Sequence, residues 1–316
     1  MEILKNFPEQ IEEGIKIGEN SKLYYKGIDK VVIAAMGGSA IAGEILSHFA
    51  RIPYFIVRDY QLPPFIDASV LFVAVSYSGN TAETISCFKE ALKRGCKCFS
   101  ISSGGKLSEI SENHVFIPPN MQPRMAIAYL LFPLAKIFEK MNIIEKIDYK
   151  EVLMVAKNIR DRMKRENIAK KLAEEIDGIP IIYGYDVMGS IAKRWRQQFN
   201  ENSKIFSFNF TLPECNHNEI EAWEGEASKL TCIFLRGVES KEISKRFEFM
   251  KKVYAKKAKV IEVFGEGNSR FAKAISLMYI GDLVSLYMAL RKNVNPFPVN
   301  LIMKLKNELS TQDPHH

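Results

Sequence analysis

The sequence predicts an α/β protein of two three-layer units, each with a mainly parallel central sheet flanked by helices. Three observations carry that prediction. The strand-like runs are continuously apolar rather than alternating, which suits strands covered on both faces. Most of them lead into a turn and then a helical pattern, the order expected of parallel α/β units. The series also breaks off at a charged stretch near residue 150 and then restarts, which suggests a duplicated architecture at the level of pattern. At 316 residues and 47% hydrophobic, the chain is long enough for about two domains, at roughly 100–200 residues each.

In chain order, KVVIAAM (30–36) reads as the first strand. GGSA and a helix through Ile41, Ile45, Leu46 and Phe49 follow it. YFIVRDY (54–60) is a short strand, VLFVAVS (70–76) a third leading into a helix over 81–94, and CKCFSIS (96–102) a fourth. Residues 124–141 predict a mostly buried helix that Pro133 should kink or interrupt. The charged stretch 148–176 has apolar residues at helical spacing and reads as one long connecting helix. The second series has strands at IPIIYGY (179–185), KIFSFNF (204–210), LTCIFLRG (230–237) and AKVIEVFGEG (258–267). A helix over 188–202 follows the first of them, and helices over 269–291 and 298–309 close the chain. The expected division is residues 1–147 and 148–316, the latter including the linking helix.

Forty-four Lys and Arg against thirty-seven Asp and Glu give a formal charge of +7, spread along helices rather than gathered in one block. This is a solvated basic surface, and no nucleic-acid-binding motif accompanies it. The five cysteines are odd in number and scattered, without a C-x-x-C pair or metal-site spacing, so reduced interior thiols are expected. No apolar run approaches bilayer length and the N-terminus is charged and amphipathic. The expectation is therefore a cytoplasmic protein without a membrane partner.

Two turns invite chemistry. MGGSA (36–40) and SYSGNT (76–81) each follow a strand, and neighbouring parallel strands would bring them side by side at the carboxyl edge, where open α/β sheets bind ligands. Gly38 permits close backbone approach, while Ser39, Ser76, Ser78 and Thr81 supply hydroxyls beside free helix N–H groups, an environment suited to phosphate. Neither turn matches a dinucleotide or nucleoside-triphosphate fingerprint.

GGSA together with SYSGNT resembles the sugar isomerase (SIS) domain, a flavodoxin-like parallel sheet that binds phosphosugars through these Ser and Thr residues. QPRMAIAYLLFP (122–133), FNENSK (199–204), LPECNHNEI (212–220) and FPVNLIMKLKNEL (297–309) extend the resemblance over nearly the whole chain. Their order is that of the bifunctional phosphoglucose/phosphomannose isomerases. The resemblance implies a metal-independent, cofactor-free aldose-ketose isomerase that interconverts glucose 6-phosphate, and with it mannose 6-phosphate, and fructose 6-phosphate through a cis-enediolate.

It further implies Glu201 as the base, His217 as a ring-opening acid/base donated by the partner of a homodimer, and Arg124 as the cation that holds the enediolate. A ring-opening lysine is implied at Lys304, with Lys306 the alternative in register, and Glu219 is a weaker acidic candidate. The chemistry suits these types: imidazole titrates near neutrality, and guanidinium stays charged while addressing two oxygens. The chain departs from the family at Phe297, where a threonine usually precedes the proline. A phenyl ring there adds bulk and removes a hydroxyl, which points to weakened or lost action on mannose 6-phosphate, or to a shifted loop. A sugar-phosphate sensor without activity and an isomerase of another phosphosugar are the rival readings.

Overall fold

The computed structural model describes residues 2–311. Two short N-terminal helices, α1 (Glu2–Lys5) and α2 (Phe7–Asn20), precede β1 (Lys30–Ala35), α3 (Gly37–Ser47), β2 (Tyr54–Val57), β3 (Val70–Val75) and α4 (Ala82–Lys93). Then come β4 (Lys97–Ser102), α5 (Gly105–Ile110), β5 (His114–Phe116), a 3-10 turn at Pro123–Met125, and α6 (Ile127–Lys140). The second series runs α7 (Tyr149–Arg165), α8 (Ile168–Glu175), β6 (Ile179–Tyr185), α9 (Val187–Glu201) and β7 (Phe208–Leu212). It continues through 3-10 turns at Glu214–His217 and Glu219–Glu224 to β8 (Leu230–Arg236), α10 (Lys241–Tyr254), β9 (Lys259–Phe264), α11 (Arg270–Arg291) and α12 (Asn300–Thr311).

Both sheets are wholly parallel. Their orders, β2-β1-β3-β4-β5 and β7-β6-β8-β9, are the same winding, with one strand fewer in the second. The buried runs of β1 and β3 explain this: every residue of β3 is buried, so helices cover both faces. The α/β expectation therefore holds for both halves. β5, α5 and α10 add to it; the sequence reading had not assigned them.

Three local expectations need correction. Pro133 does not interrupt α6, which runs unbroken from Ile127 to Lys140. The proline is buried against α2, where Gly18 lets the helices approach so closely that a Cβ there would lie 2.7 Å from the Pro133 carbonyl oxygen. The stretch 148–176 forms two helices, because Glu166 adopts an extended conformation and the Asn167 side chain caps α8 by accepting from the Lys170 N–H. The strand expected at 204–210 begins only at Phe208. Ahead of it, the Asn200 amide donates to the Ile205 carbonyl and the Ser207 hydroxyl, holding these residues in a turn.

One apolar core joins both series, running from Ile33, Ile41 and Phe132 to Ile191, Trp195 and Ile275. Smaller cores lie on the outer faces, around Phe72 and Phe88 in the first sheet and around Tyr183, Phe234 and Tyr254 in the second. By length and composition α11 could cross a bilayer, contrary to the sequence reading, yet 83% of its apolar window is buried among the other helices. It is the central core helix. All five cysteines are unpaired and buried. Burial pushes their thiols up, Cys87 to about 11, so they remain protonated and unreactive at neutral pH.

Candidate functional site

β1 and β3 are hydrogen-bonded neighbours in register at Ala35 and Val75, so the turns that follow them are adjacent. Ser76 and Thr81 share a hydroxyl hydrogen bond of 2.8 Å, the Tyr77 N–H donates to the Ser39 hydroxyl at 3.3 Å, and the Asn80 N–H donates to the Ser78 hydroxyl. Thr81 stands at the N-cap of α4 without capping it through its side chain. The Tyr77 N–H to Ser39 bond therefore links the two turns, and the Ser76–Thr81 bond closes the second on itself. Gly79 is required there: its φ is +68°, and a Cβ would lie 1.8 Å from the Gly104 carbonyl oxygen.

The matching turn of the second series, between β6 and α9, differs. Asp186 there brings a carboxylate, bound by Arg270 at 2.7 Å and by His48 at 3.2 Å. A hydroxyl-lined turn is thus found in the first series and an anchored carboxylate in the second.

The first turn is tied to Arg124. The Tyr77 hydroxyl donates to the Pro118 carbonyl and accepts from the Met121 N–H, steering the chain toward the Pro123–Met125 turn. Gly38 packs against the Arg124 backbone, its Cβ direction 3.5 Å from the Arg124 Cα. Arg124 itself is 3% exposed. Burial lowers the pKa of its guanidinium, the nearby Glu201 opposes that shift, and the group remains a cation.

A closed buried network holds this arginine. Its Nε donates to Asn202 Oδ1 at 2.6 Å, and its carbonyl accepts from Arg194 Nη2 at 2.9 Å. Arg194 pairs with Asp282 through two hydrogen bonds of 2.9 and 2.7 Å, and Gln198 donates to the same carboxylate. Asn202 donates to the Ser285 hydroxyl, which donates in turn to the Asp282 carbonyl. Desolvation raises the pKa of Asp282, and its donors pull the other way.

Glu201, at the last residue of α9, brings Oε2 to 3.7 Å from Arg124 Nη1. Beside it is a cleft of about 370 Å³, lined by Asn200, Glu201 and Lys204 and by the segment from Pro298 to Ile302. The structure thus brings Arg124 and Glu201 together and sets Gly38 against Arg124.

His217 and Lys304 stand apart from that pair. His217 is exposed at the tip of its turn and, among the described residues, makes no side-chain hydrogen bond. Lys304 is exposed on α12 and faces Glu308 at 3.9 Å, and Lys306 is exposed on the same helix. Phe297 is 47% exposed, with its carbonyl accepting from Arg124 at 3.0 Å. Glu219 is structural: its carboxylate accepts from the Tyr183 and Tyr254 hydroxyls and the Trp223 indole, which fixes the turn that carries His217. Sequence reasoning missed Tyr77, Arg194, Asn202, Asp282 and Lys204. The cue for Asn202 and Lys204 was their place in FNENSK; Arg194 and Asp282 offered only a charge on an apolar helix face.

Residues 165–309 match the family model described as the bacterial phospho-glucose isomerase C-terminal SIS domain. A bifunctional phosphoglucose/phosphomannose isomerase of Caldicellulosiruptor bescii is 38% identical, covering 98% of each chain. One from Thermoplasma acidophilum is 37% identical over 89% of each. In fold, the C-terminal domain of glucosamine-fructose-6-phosphate aminotransferase from Francisella tularensis superimposes with a TM-score of 0.73 at 16% identity, covering 93% of this chain and 96% of that one. With such relatives spanning nearly its entire length, the chain belongs to the bifunctional phosphoglucose/phosphomannose isomerase family.

Proposed function

We propose that the protein is an aldose-ketose isomerase that interconverts glucose 6-phosphate and fructose 6-phosphate at the cleft beside Glu201, with Phe297 limiting action on mannose 6-phosphate. The observation that carries this reading is the Arg124–Glu201 pair at 3.7 Å, a buried cation beside a carboxylate that is 27% exposed, with Gly38 of the hydroxyl-lined turn packed against the same arginine. In this mechanism the phosphate lies on Gly38, Ser39, Ser76, Ser78 and Thr81. The Glu201 carboxylate removes the proton from C2 of the open-chain aldose as the C1 oxygen takes up negative charge, and Arg124 stabilises that oxygen. Glu201 then returns the proton to C1, while the C2 hydroxyl passes its proton to the C1 oxygen and becomes the ketone carbonyl. The base is regenerated, and nothing besides substrate is consumed.

Ring opening falls to His217 and Lys304, which lie apart from Glu201 within one chain. A homodimer in which the partner supplies His217 accounts for an exposed histidine on a turn as firmly anchored as this one, through Glu219 and the 4.0 Å stack of Trp223 on Tyr254. A cytoplasmic setting and a place in hexose phosphate metabolism follow from that activity.

The test is Glu201→Gln. General-base catalysis is worth about 10²–10⁴-fold, so kcat for glucose 6-phosphate isomerisation should fall by that factor while substrate affinity changes little. A variant with unaltered kcat excludes Glu201 as the base.

A further inference from the structure

Between α11 and α12 the chain crosses the site as NPFPVN, residues 295–300. Pro296 and Pro298 have no N–H, and the Phe297 N–H is taken locally by the Asn295 side chain at 3.0 Å. The backbone of this strap over residues 296–298 can therefore be tied to the protein body only through its three carbonyls. All three are held by side-chain cations. Arg124 Nη2 donates to the Pro296 carbonyl at 2.7 Å and to that of Phe297 at 3.0 Å. Lys204 Nζ donates to the Pro298 carbonyl at 2.8 Å and also to the Glu201 carbonyl at the end of α9.

Lys204 is an unusual residue for that task. Its φ is +54°, a left-handed conformation that is strained for a non-glycine residue and calls for a compensating interaction. Its ammonium lies close enough to Arg124 and Glu201 to feel both: burial and Arg124 lower its pKa, and Glu201 raises it. The residue also lines the cleft, opposite the wall formed by residues 298–302.

We propose that Lys204 is a positioning residue: its ammonium clamps the 296–298 strap onto the end of α9, fixing the cleft wall and the Phe297 carbonyl against Arg124. Every residue of α12 whose side chain is described is exposed, so the strap determines where that helix and its lysines stand relative to Glu201. The strap carbonyls also occupy the Arg124 Nη2 donors, so the nitrogen turned toward Glu201 and the substrate oxygen is Nη1, which donates to Gln122 Oε1 at 3.4 Å. The clamp is a property of the fold; its catalytic consequence rests on the isomerase reading above.

Two variants test it. Lys204→Met keeps the stem and removes the donor, and Lys204→Gly suits the left-handed backbone and removes the whole side chain. In both, amide hydrogen exchange of residues 297 and 299–303 should accelerate about tenfold or more, the usual worth of a charge-assisted hydrogen bond. The melting temperature should stay within a few degrees of wild type, because Lys204 is a surface residue. For hexose phosphate isomerisation, kcat/KM should fall about tenfold, mainly through KM, and Lys204→Arg should recover most of the loss.

Unchanged exchange of the strap in Lys204→Met and Lys204→Gly overturns the clamp. Faster exchange with unchanged kcat/KM overturns the positioning role. If the wild-type protein isomerises no hexose 6-phosphate, the isomerase reading fails and the exchange experiment still decides the clamp.

Discussion

At the scale of residues, the first half of the candidate site is tuned by removal from water and the second by exposure. Arg124 is almost entirely buried, whereas His217 and Lys304 stand in solvent. Phe297 lies between these regimes, its carbonyl fixed by Arg124 and its ring 47% exposed. Replacing it with threonine removes the ring without disturbing the core. The expected outcome of Phe297→Thr is a rise of about tenfold in the ratio of kcat/KM for mannose 6-phosphate to that for glucose 6-phosphate, measured in a coupled assay. An unchanged ratio excludes Phe297 as the residue that limits breadth. A second residue sets an acid limb of stability. His114 packs between the Ser100 and Ser102 hydroxyls, and burial lowers its pKa below the ordinary value. The unfolded chain therefore binds the proton more readily, and stability is lost as pH falls below about 6.5. His114→Gln should flatten that loss, which thermal melts between about pH 7 and pH 5 would register.

At the scale of elements, the turns after β1 and β3 work as one piece because the two strands are paired in register. Gly79 is where this piece is least tolerant, with a backbone carbonyl at 1.8 Å in the direction of a Cβ. Gly79→Ala should force the SYSGNT turn away from Gly104 and weaken substrate affinity by about tenfold or more, read as KM or as protection by bound sugar phosphate. Wild-type affinity in that variant would separate the turn from phosphate binding. Apart from the three-residue β5, the strands of both sheets were legible in the sequence, β7 with too early a start, because apolar runs bounded by Gly, Ser and charge have few alternatives. Continuity was less legible. Pro133 carries a strong rule against helix interiors, but its burial against Gly14 and Gly18 of α2 outweighs the lost hydrogen bond, and no local signal announces that. The break at Asn167 was the reverse case: helical periodicity spans it, and a capping side chain overrides the period. The candidate site residues were read from motifs alone, and Tyr77 was passed over even inside SYSGNT. The roles of Tyr77 and Asp282 depend on partners 41 and 88 positions away.

At the scale of the whole molecule, the proposed partner contribution gives a sharp expectation. Equal mixtures of Glu201→Gln and His217→Gln chains, refolded together, should assemble mixed dimers, each with one site free of either substitution. Activity should recover to about a quarter of wild type, as expected for a two-fold symmetric dimer that exchanges chains at random. No recovery above the parent variants would assign His217 to the same chain as Glu201. The molecule also has a seam, where α9 and α11 meet the Pro123–Met125 turn through Arg194, Asp282, Asn202 and Ser285. Breaking a buried pair such as Arg194–Asp282 from one side typically costs about 3–5 kcal/mol, a large share of an ordinary protein's stability. Those side chains orient Arg124 and also bond the two halves of the chain to each other. Mutational drift at any of them is therefore constrained twice, once through the chemistry of the cation and once through cohesion of the halves. A lineage could lose the reaction at Glu201 and remain a stable phosphosugar binder, but a change at Asp282 would put both at risk.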